Sequence, residues 1–321
     1  MFNRRTFIAL GALAVAGLAT APASAQVKEV TLDFATYNPV GLILKDKGFL
    51  EEDLKKDGIS VRWVQTLGSN KALEFLNAGS IDFGSTAGAA ALIGKINGNP
   101  IKSVYVYSRP EWATLVTTKD SAIKTVADLK GKRIAVTRGT DPHIFLIRAL
   151  ADAGLTDKDV ELVLLQHPDG KAALVRGDVD AWAGLDPLTA AAEVENGAVL
   201  FFRKPDYNSW GVLNVREAFA KENPQIVERV LAAYEKARQY SIAHPDELKA
   251  ALVKTAKLSD EIISRQIART DITHSKIGDE QKKTIVEAGL ALQKAGVIKP
   301  DVDVKAVADA LIDPSFKLAS N

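Results

Sequence analysis

No cysteine occurs anywhere in the chain. Disulfides, thiolate nucleophiles and thiolate metal sites are therefore excluded together, and any chemistry must use oxygen, imidazole or backbone groups. Histidine is scarce as well. His143, His167, His244 and His274 are the complete set, and none stands at metal-ligand spacing from another. Neither a metal nor a cofactor is expected. No Lys/Arg-rich block stands out and the formal net charge is +1, which leaves no electrostatic footprint for a nucleic acid. Gly-x-Ser-x-Gly is missing, and Gly84-x-x-x-Gly88 lacks the Lys-Ser/Thr of a phosphate loop. No nucleophile–base set is visible, and there is no tandem repeat. What is present is an ordinary globular balance: 321 residues, 47% apolar and 25% charged, with 22 glycines and 12 prolines. That length suits two lobes, each able to bury its own core.

The chain opens with Arg4 and Arg5, an apolar stretch from Ala9 to Ala19, and Ala23-Ser24-Ala25. These are the charged start, apolar region and A-x-A cleavage site of an export signal. The apolar stretch is shorter than the ~20 residues of a membrane span. Cleavage after Ala25 is expected, leaving a soluble periplasmic protein that begins at Gln26. The paired arginines suit the twin-arginine route, although general secretory signals also carry such pairs.

Beyond the signal, short strand-like runs alternate with helix-like runs. Val30 to Thr36, Ser60 to Gln65, Ile81 to Gly84 and Ile101 to Tyr107 are interleaved with apolar-periodic segments, and the rhythm begins again at Arg133. This is βαβ order and implies two parallel-sheet α/β units. Ala113 to Lys119 and Gly211 to Val215 read as crossings between them. The reading places residues 27–110 and 211–321 in a first lobe and 111–210 in a second, with the C-terminal helices packed on the first. His167, His244 and His274 are expected at the surface.

In open α/β sheets, ligands sit beyond the carboxyl ends of the strands, where helix N-termini point. Four strand-to-helix turns stand out: Tyr37-Asn38-Pro39, Gly84-Ser85-Thr86, Gly139-Thr140-Asp141-Pro142 with His143 behind it, and Leu185-Asp186-Pro187. Such turns aim backbone N–H groups and a positive dipole end outward, which favours an anion. Asn, Asp, Ser and Thr at helix starts are equally ordinary caps. The functional reading rests on all four turns falling at equivalent strand ends, two in each lobe. Trp112, Trp210, Arg109 and Arg138 flank the inferred crossings. Asp141 and Asp186 would repel a plain anion at helix ends, so a ligand carrying both signs is expected to bind more tightly than a plain one.

Several runs together resemble one family. They are Leu76 to Ser85 (LNAGSIDFGS), Lys119 to Lys132 (KDSAIKTVADLKGK), His143 with Arg148 to Leu155 (RALADAGL), and Gly177 to Trp182 (GDVDAW) with Asp186-Pro187. The resemblance is to the sulfonate/nitrate/taurine-type solute-binding proteins of ABC transporters, and within them to the aliphatic-sulfonate binders. It implies a type II periplasmic-binding-protein fold, two α/β lobes on a double-crossing hinge. It also implies a monomer that captures a small organic oxoanion and delivers it to a membrane permease and its ATPase. Tyr37, Asn38, Ser85, Thr86, Arg109, Thr140, Asp141, His143, Asp186 and Trp210 are the candidate ligand contacts. Other readings stay open. One is a binder of nitrate, bicarbonate or a sulfate ester, one a ligand-sensing partner of a receptor, and one an enzyme of the same fold resembling pyrimidine-precursor synthases of thiamine metabolism.

Overall fold

The computed structural model describes residues 27–317, so the export signal read in residues 1–25 lies outside the described residues. Among the described residues, eleven strands form two sheets. In chain order they are β1 (Glu29–Phe34), β2 (Ser60–Gln65), β3 (Phe83–Ala87), β4 (Ile101–Pro110), β5 (Ala113–Thr117), β6 (Arg133–Val136), β7 (Glu161–Leu164), β8 (Ala181–Leu185), β9 (Val199–Phe202), β10 (Gly211–Arg216) and β11 (Thr270–Asp271). The first sheet runs β11-β4-β10-β3-β1-β2 and the second β7-β6-β8-β5-β9. Each sheet carries one of the expected α/β units, β1-β2-β3 in the first and β6-β7-β8 in the second, paired parallel.

The two segments read as crossings are sheet strands instead. β5 pairs antiparallel with β8 and β9, and β10 pairs antiparallel with β3 and β4. Each is the strand on which the chain enters a sheet from the other lobe, so it runs against the βαβ strands and makes the sheet mixed. All five residues of β5 are buried. A continuous apolar run is what a strand covered on both faces requires. The chain crosses at Glu111-Trp112 and returns between Phe202 and Gly211. A bidentate pair joins the crossings, with Arg203 Nε and Nη2 each 2.7 Å from a Glu111 oxygen. Asn208 Oδ1 also accepts the Ala113 N–H at 2.7 Å.

Helix starts position the cleft. Asn38 caps the helix Pro39–Lys47 by accepting the Gly41 N–H at 2.9 Å, and Pro39 loses nothing at a first helical position, which has no intrahelical partner for its nitrogen. Gly48, at φ 64, closes that helix in a left-handed conformation. The helices Pro224–Ala243, Asp279–Lys294 and Val304–Leu311 pack on the first lobe, with Tyr105 and Phe83 fully buried beneath and Tyr234 buried on the first of these helices. The helix Asp260–Ala268 touches both lobes: Gln266 Nε2 donates to the Thr36 carbonyl of the first at 2.6 Å. Ile262 packs against Ala190 and Ala191 of the second-lobe helix Leu188–Asn196. Trp182 anchors the second lobe's core among Val116, Ala135, Ala173 and Leu174.

Candidate binding site between the lobes

Between the lobes lies a small cavity bordered by Tyr37, Ser69, Trp112, Thr140, Asp141, Pro142 and Leu185. Its volume is about 10 Å³, on the order of one water-sized sphere. Ser69 opens the first-lobe helix Ser69–Asn77, and Asp141 opens the second-lobe helix Asp141–Asp152. The positive ends of two helix dipoles, one per lobe, thus border one space. Among the described residues, no Lys, Arg or His borders it. The rings of Tyr37 and Trp112 meet edge to face across the crossing, with centroids 5.9 Å apart and planes at 87°.

Below Tyr37 lies a buried carboxylate that the turn-based reading missed. Asp33, on β1, accepts the Ser85 N–H at 2.8 Å, the Ser85 hydroxyl at 2.8 and 3.0 Å, and the Thr66 hydroxyl at 2.7 Å. Tyr37 donates its hydroxyl to the Ser85 carbonyl at 3.1 Å and lies 3.1 Å from Thr66 Oγ1. Burial outweighs these donors and pushes the Asp33 carboxyl up to about 6. Its sequence signal was an acid inside the mostly apolar strand run VTLDFA.

The candidates separate into those at the cavity and those held elsewhere. Tyr37, Thr140 and Asp141 border it. Asn38 is a cap, and its amide nitrogen reaches Tyr234 at 3.4 Å inside the first lobe. Ser85 and Thr86 are not turn residues. They lie within β3, where Ser85 holds Asp33 and Thr86 Oγ1 accepts from Asn214 Nδ2 at 2.8 Å. Ala87, the next residue, holds the N-cap position of the helix Gly88–Ile96, with no side-chain cap bond. Trp210 is buried but does not border the cavity; its ring is covered by the Arg109 guanidinium at 5.2 Å, and Arg109 itself is exposed. Arg138 is exposed too. His143 follows the cavity-lining Pro142 but does not itself border the cavity, and burial, assisted by Arg138, holds its imidazole down to about 4.

Neither carboxylate at these helix ends is free to repel a ligand. Asp141 is not the cap expected; Thr140 holds that position, and its hydroxyl turns back to the Thr137 carbonyl at 2.7 Å. The Asp141 carboxylate accepts Trp112 Nε1 at 2.7 Å, the Ser209 hydroxyl at 2.7 Å and the Ser209 N–H at 3.0 Å. Asp186 accepts the Ala190 N–H at 3.0 Å and the Thr189 hydroxyl, and faces Arg269 Nη1 at 3.4 Å. Burial raises both carboxyls above their ordinary range against these favourable partners. His167, expected at the surface, is only 1% exposed and sits in the seam between the lobes beside Gly68.

The NMT1/THI5 like family model matches residues 41–248. A protein of Escherichia coli (strain K12) designated aliphatic sulfonates-binding is 33% identical over 228 residues, covering 70% of this chain and 71% of the relative. The taurine-binding periplasmic protein of the same strain is 29% identical over 238 residues, 72% of each chain. The alkanesulfonate-binding protein SsuA of Xanthomonas axonopodis pv. citri, solved bound to MOPS, matches with a TM-score of 0.81 at 23% identity, over 90% of this chain and 99% of that one. That likeness shows the two-lobed periplasmic-binding fold. No helix among the described residues is long and apolar enough to cross a membrane.

Proposed function

Because the chain belongs to the NMT1/THI5-like family of these sulfonate- and taurine-binding relatives, we propose that it is the solute-binding subunit of an ABC importer. It captures an aliphatic sulfonate or taurine between its lobes. The observation that carries this reading is the meeting of two helix N-termini, from Ser69 and from Asp141, on one cavity walled by Tyr37 and Trp112. Backbone N–H groups and helix dipoles would hold a small oxoanion there without a cation, as helix starts do elsewhere, once the lobes part to widen a space that now admits one water-sized sphere. Ser69 supplies a hydroxyl at the same point; its oxygen accepts the Ala87 N–H at 3.0 Å, which leaves its proton to donate. The mechanism is capture without covalent chemistry. Contacts made to both lobes exist only in the closed form, so the ligand shifts the open–closed equilibrium by its difference in affinity for the two states. The closed form is what a permease and its ATPase would read, and the protein acts as a monomer in the periplasm after cleavage behind Ala25.

A thermal-shift panel of alkanesulfonates, taurine, nitrate, bicarbonate and sulfate esters tests the reading. A ligand at a hundred times its Kd stabilises by about 2.7 kcal/mol. The sulfonates are expected to raise the midpoint and to be recovered chemically unchanged. Stabilisation by nitrate or bicarbonate alone, or conversion of a bound ligand, would overturn it.

A further inference from the structure

Asp33 stands beneath the cavity as a fully buried acid whose every hydrogen-bond partner is neutral: the Ser85 N–H and hydroxyl from β3 on one side, and the Thr66 hydroxyl, just past β2, on the other. The titratable groups packed around it are phenols, Tyr37 from the turn after β1, Tyr107 from β4 and Tyr234 from the helix Pro224–Ala243. Burial holds all three above the ordinary phenol value, so they stay uncharged. The charged groups of the neighbouring elements are engaged elsewhere. Lys45, on the helix Pro39–Lys47, covers the ring of Phe34, which leaves the strand on the face opposite Asp33. Arg62 of β2 bonds Glu29 and Thr31, and Glu235 and Arg238, beyond Tyr234, pair with each other. The two acids at the helix ends differ in this respect, since Asp186 faces Arg269 and the charge of Arg148 acts on Asp141.

Two short paths join Asp33 to the cavity. The hydroxyl of Tyr37, one wall of the cavity, lies 3.1 Å from Thr66 Oγ1, and Thr66 gives its proton to Asp33 at 2.7 Å. Ser69, another wall, accepts the N–H of Ala87, which is two residues along β3 from Ser85. An oxoanion between the two helix starts is thus separated from the Asp33 carboxyl by a single layer of side chains. In an interior this dry, repulsion between two negative charges is screened far less than in water. The hydroxyls of Thr66 and Ser85 can turn, so the same cluster also satisfies the neutral acid, which then donates to one of their oxygens.

We propose that Asp33 is a positioning residue whose proton is coupled to the ligand: the protein takes up a proton at Asp33 as it captures the oxoanion, and its affinity falls as the pH rises. This rests on the sulfonate reading above. Without ligand the carboxyl already stands at about 6, and an anion placed near it raises it further. The coupling is reciprocal, so the factor by which the ligand tightens the proton is the factor by which the proton tightens the ligand. A rise of one pKa unit corresponds to tenfold in affinity. The gain is fully present below about pH 6 and is lost by about pH 8.

A pH-stat titration of the mature protein with ethanesulfonate at pH 6.5, in solution free of sulfonate buffers, tests the proposal. Ethanesulfonate does not titrate in this range, so any proton taken up belongs to the protein. The wild type should take up roughly half a proton per ligand, and its Kd should weaken by about tenfold between pH 5 and 8. Asp33→Asn mimics the neutral acid. It should take up less than about a tenth of a proton, and its Kd at pH 8 should lie within about threefold of the wild-type value at pH 5. Ser85→Ala removes one donor from the carboxylate but leaves the acid in place, so the midpoint of its affinity profile should move to higher pH. This second variant keeps the test independent of any loss of folding in Asp33→Asn. Binding by the wild type without proton uptake, uptake that persists in Asp33→Asn and so belongs to Asp141 or His143, or an unmoved midpoint in Ser85→Ala overturns the coupling. Binding of ethanesulfonate at no pH overturns the reading beneath it, and the coupling with it.

Discussion

Ser209 donates its hydroxyl to Asp141 Oδ1 over 2.7 Å, and the Ser209 hydroxyl oxygen in turn accepts the Ala89 N–H at 3.2 Å. A residue of the returning crossing thus links the start of a second-lobe helix to the start of a first-lobe helix. The Trp112 indole, from the other crossing, ends on the same carboxylate. Asp141→Ala should therefore cost stability rather than ligand selectivity, since it strips three donors of their acceptor and leaves the indole N–H buried and unpaired. The expected loss is about 2–4 kcal/mol, with Asp141→Asn milder because its one oxygen still accepts. Denaturant unfolding reads this, and the ratio of taurine to ethanesulfonate affinity in Asp141→Asn should stay within about twofold of wild type.

Asp33 gives the fold a pH dependence of definite sign. Its carboxyl titrates near 6 in the folded chain and near 3.9 when unfolded. The folded form holds the proton more firmly, so the contribution of Asp33 is fully present below about pH 4 and is lost as the pH rises to about 6, by at most about 3 kcal/mol. His143 and His167 act oppositely. Their imidazoles are held down to about 4 and about 3, so their contribution is full above about pH 6.5 and is lost as the pH falls below it. The difference in melting temperature between Asp33→Asn and wild type should change in favour of the variant between pH 4 and 6. Parallel curves would show that Asp33 stays ionised throughout.

Arg269 closes the lobes from outside the cavity. Its helix Asp260–Ala268 is tied to the first lobe through β11, yet the guanidinium reaches Asp186 at 3.4 Å and Glu193 at 2.6 Å in the second. The Asp186 carboxylate is 3% exposed, so removing its cation leaves a buried charge uncompensated. Arg269→Gln should weaken sulfonate binding by roughly tenfold through loss of the closed form, without touching the ligand. The unliganded variant should also show a larger radius of gyration by small-angle scattering. Unchanged affinity with unchanged dimensions would show that Arg269 does not latch the lobes.

The alternation of strands and helices, the helix start at Pro39, and the turn at Thr140-Asp141 were legible in sequence because local propensity and capping chemistry fix them. Direction within a sheet was not. Ala113 to Thr117 and Gly211 to Arg216 have the apolar character of strands, but only tertiary pairing shows that they run antiparallel inside the sheets. The candidate site divided the same way. Thr140 and Tyr37 lie beside strand ends and reach the cavity, whereas Ser85 and Thr86 are spent on Asp33 and Asn214, partners at the far ends of long sequence separations. His167 was missed because one residue on a mostly polar helix start carries no sign that the opposite lobe will cover it.

Sulfur anomalous scattering from crystals of the mature protein grown with an alkanesulfonate tests capture between the lobes most directly. The sequence has no cysteine, and its one methionine is Met1, ahead of the proposed cleavage point, so the mature chain contributes no sulfur of its own. The account predicts a single anomalous peak between the start of the helix at Ser69 and the start of the helix at Asp141, within hydrogen-bonding range of Thr140. A peak on the outer surface of either lobe, or none there at saturating ligand, would contradict it.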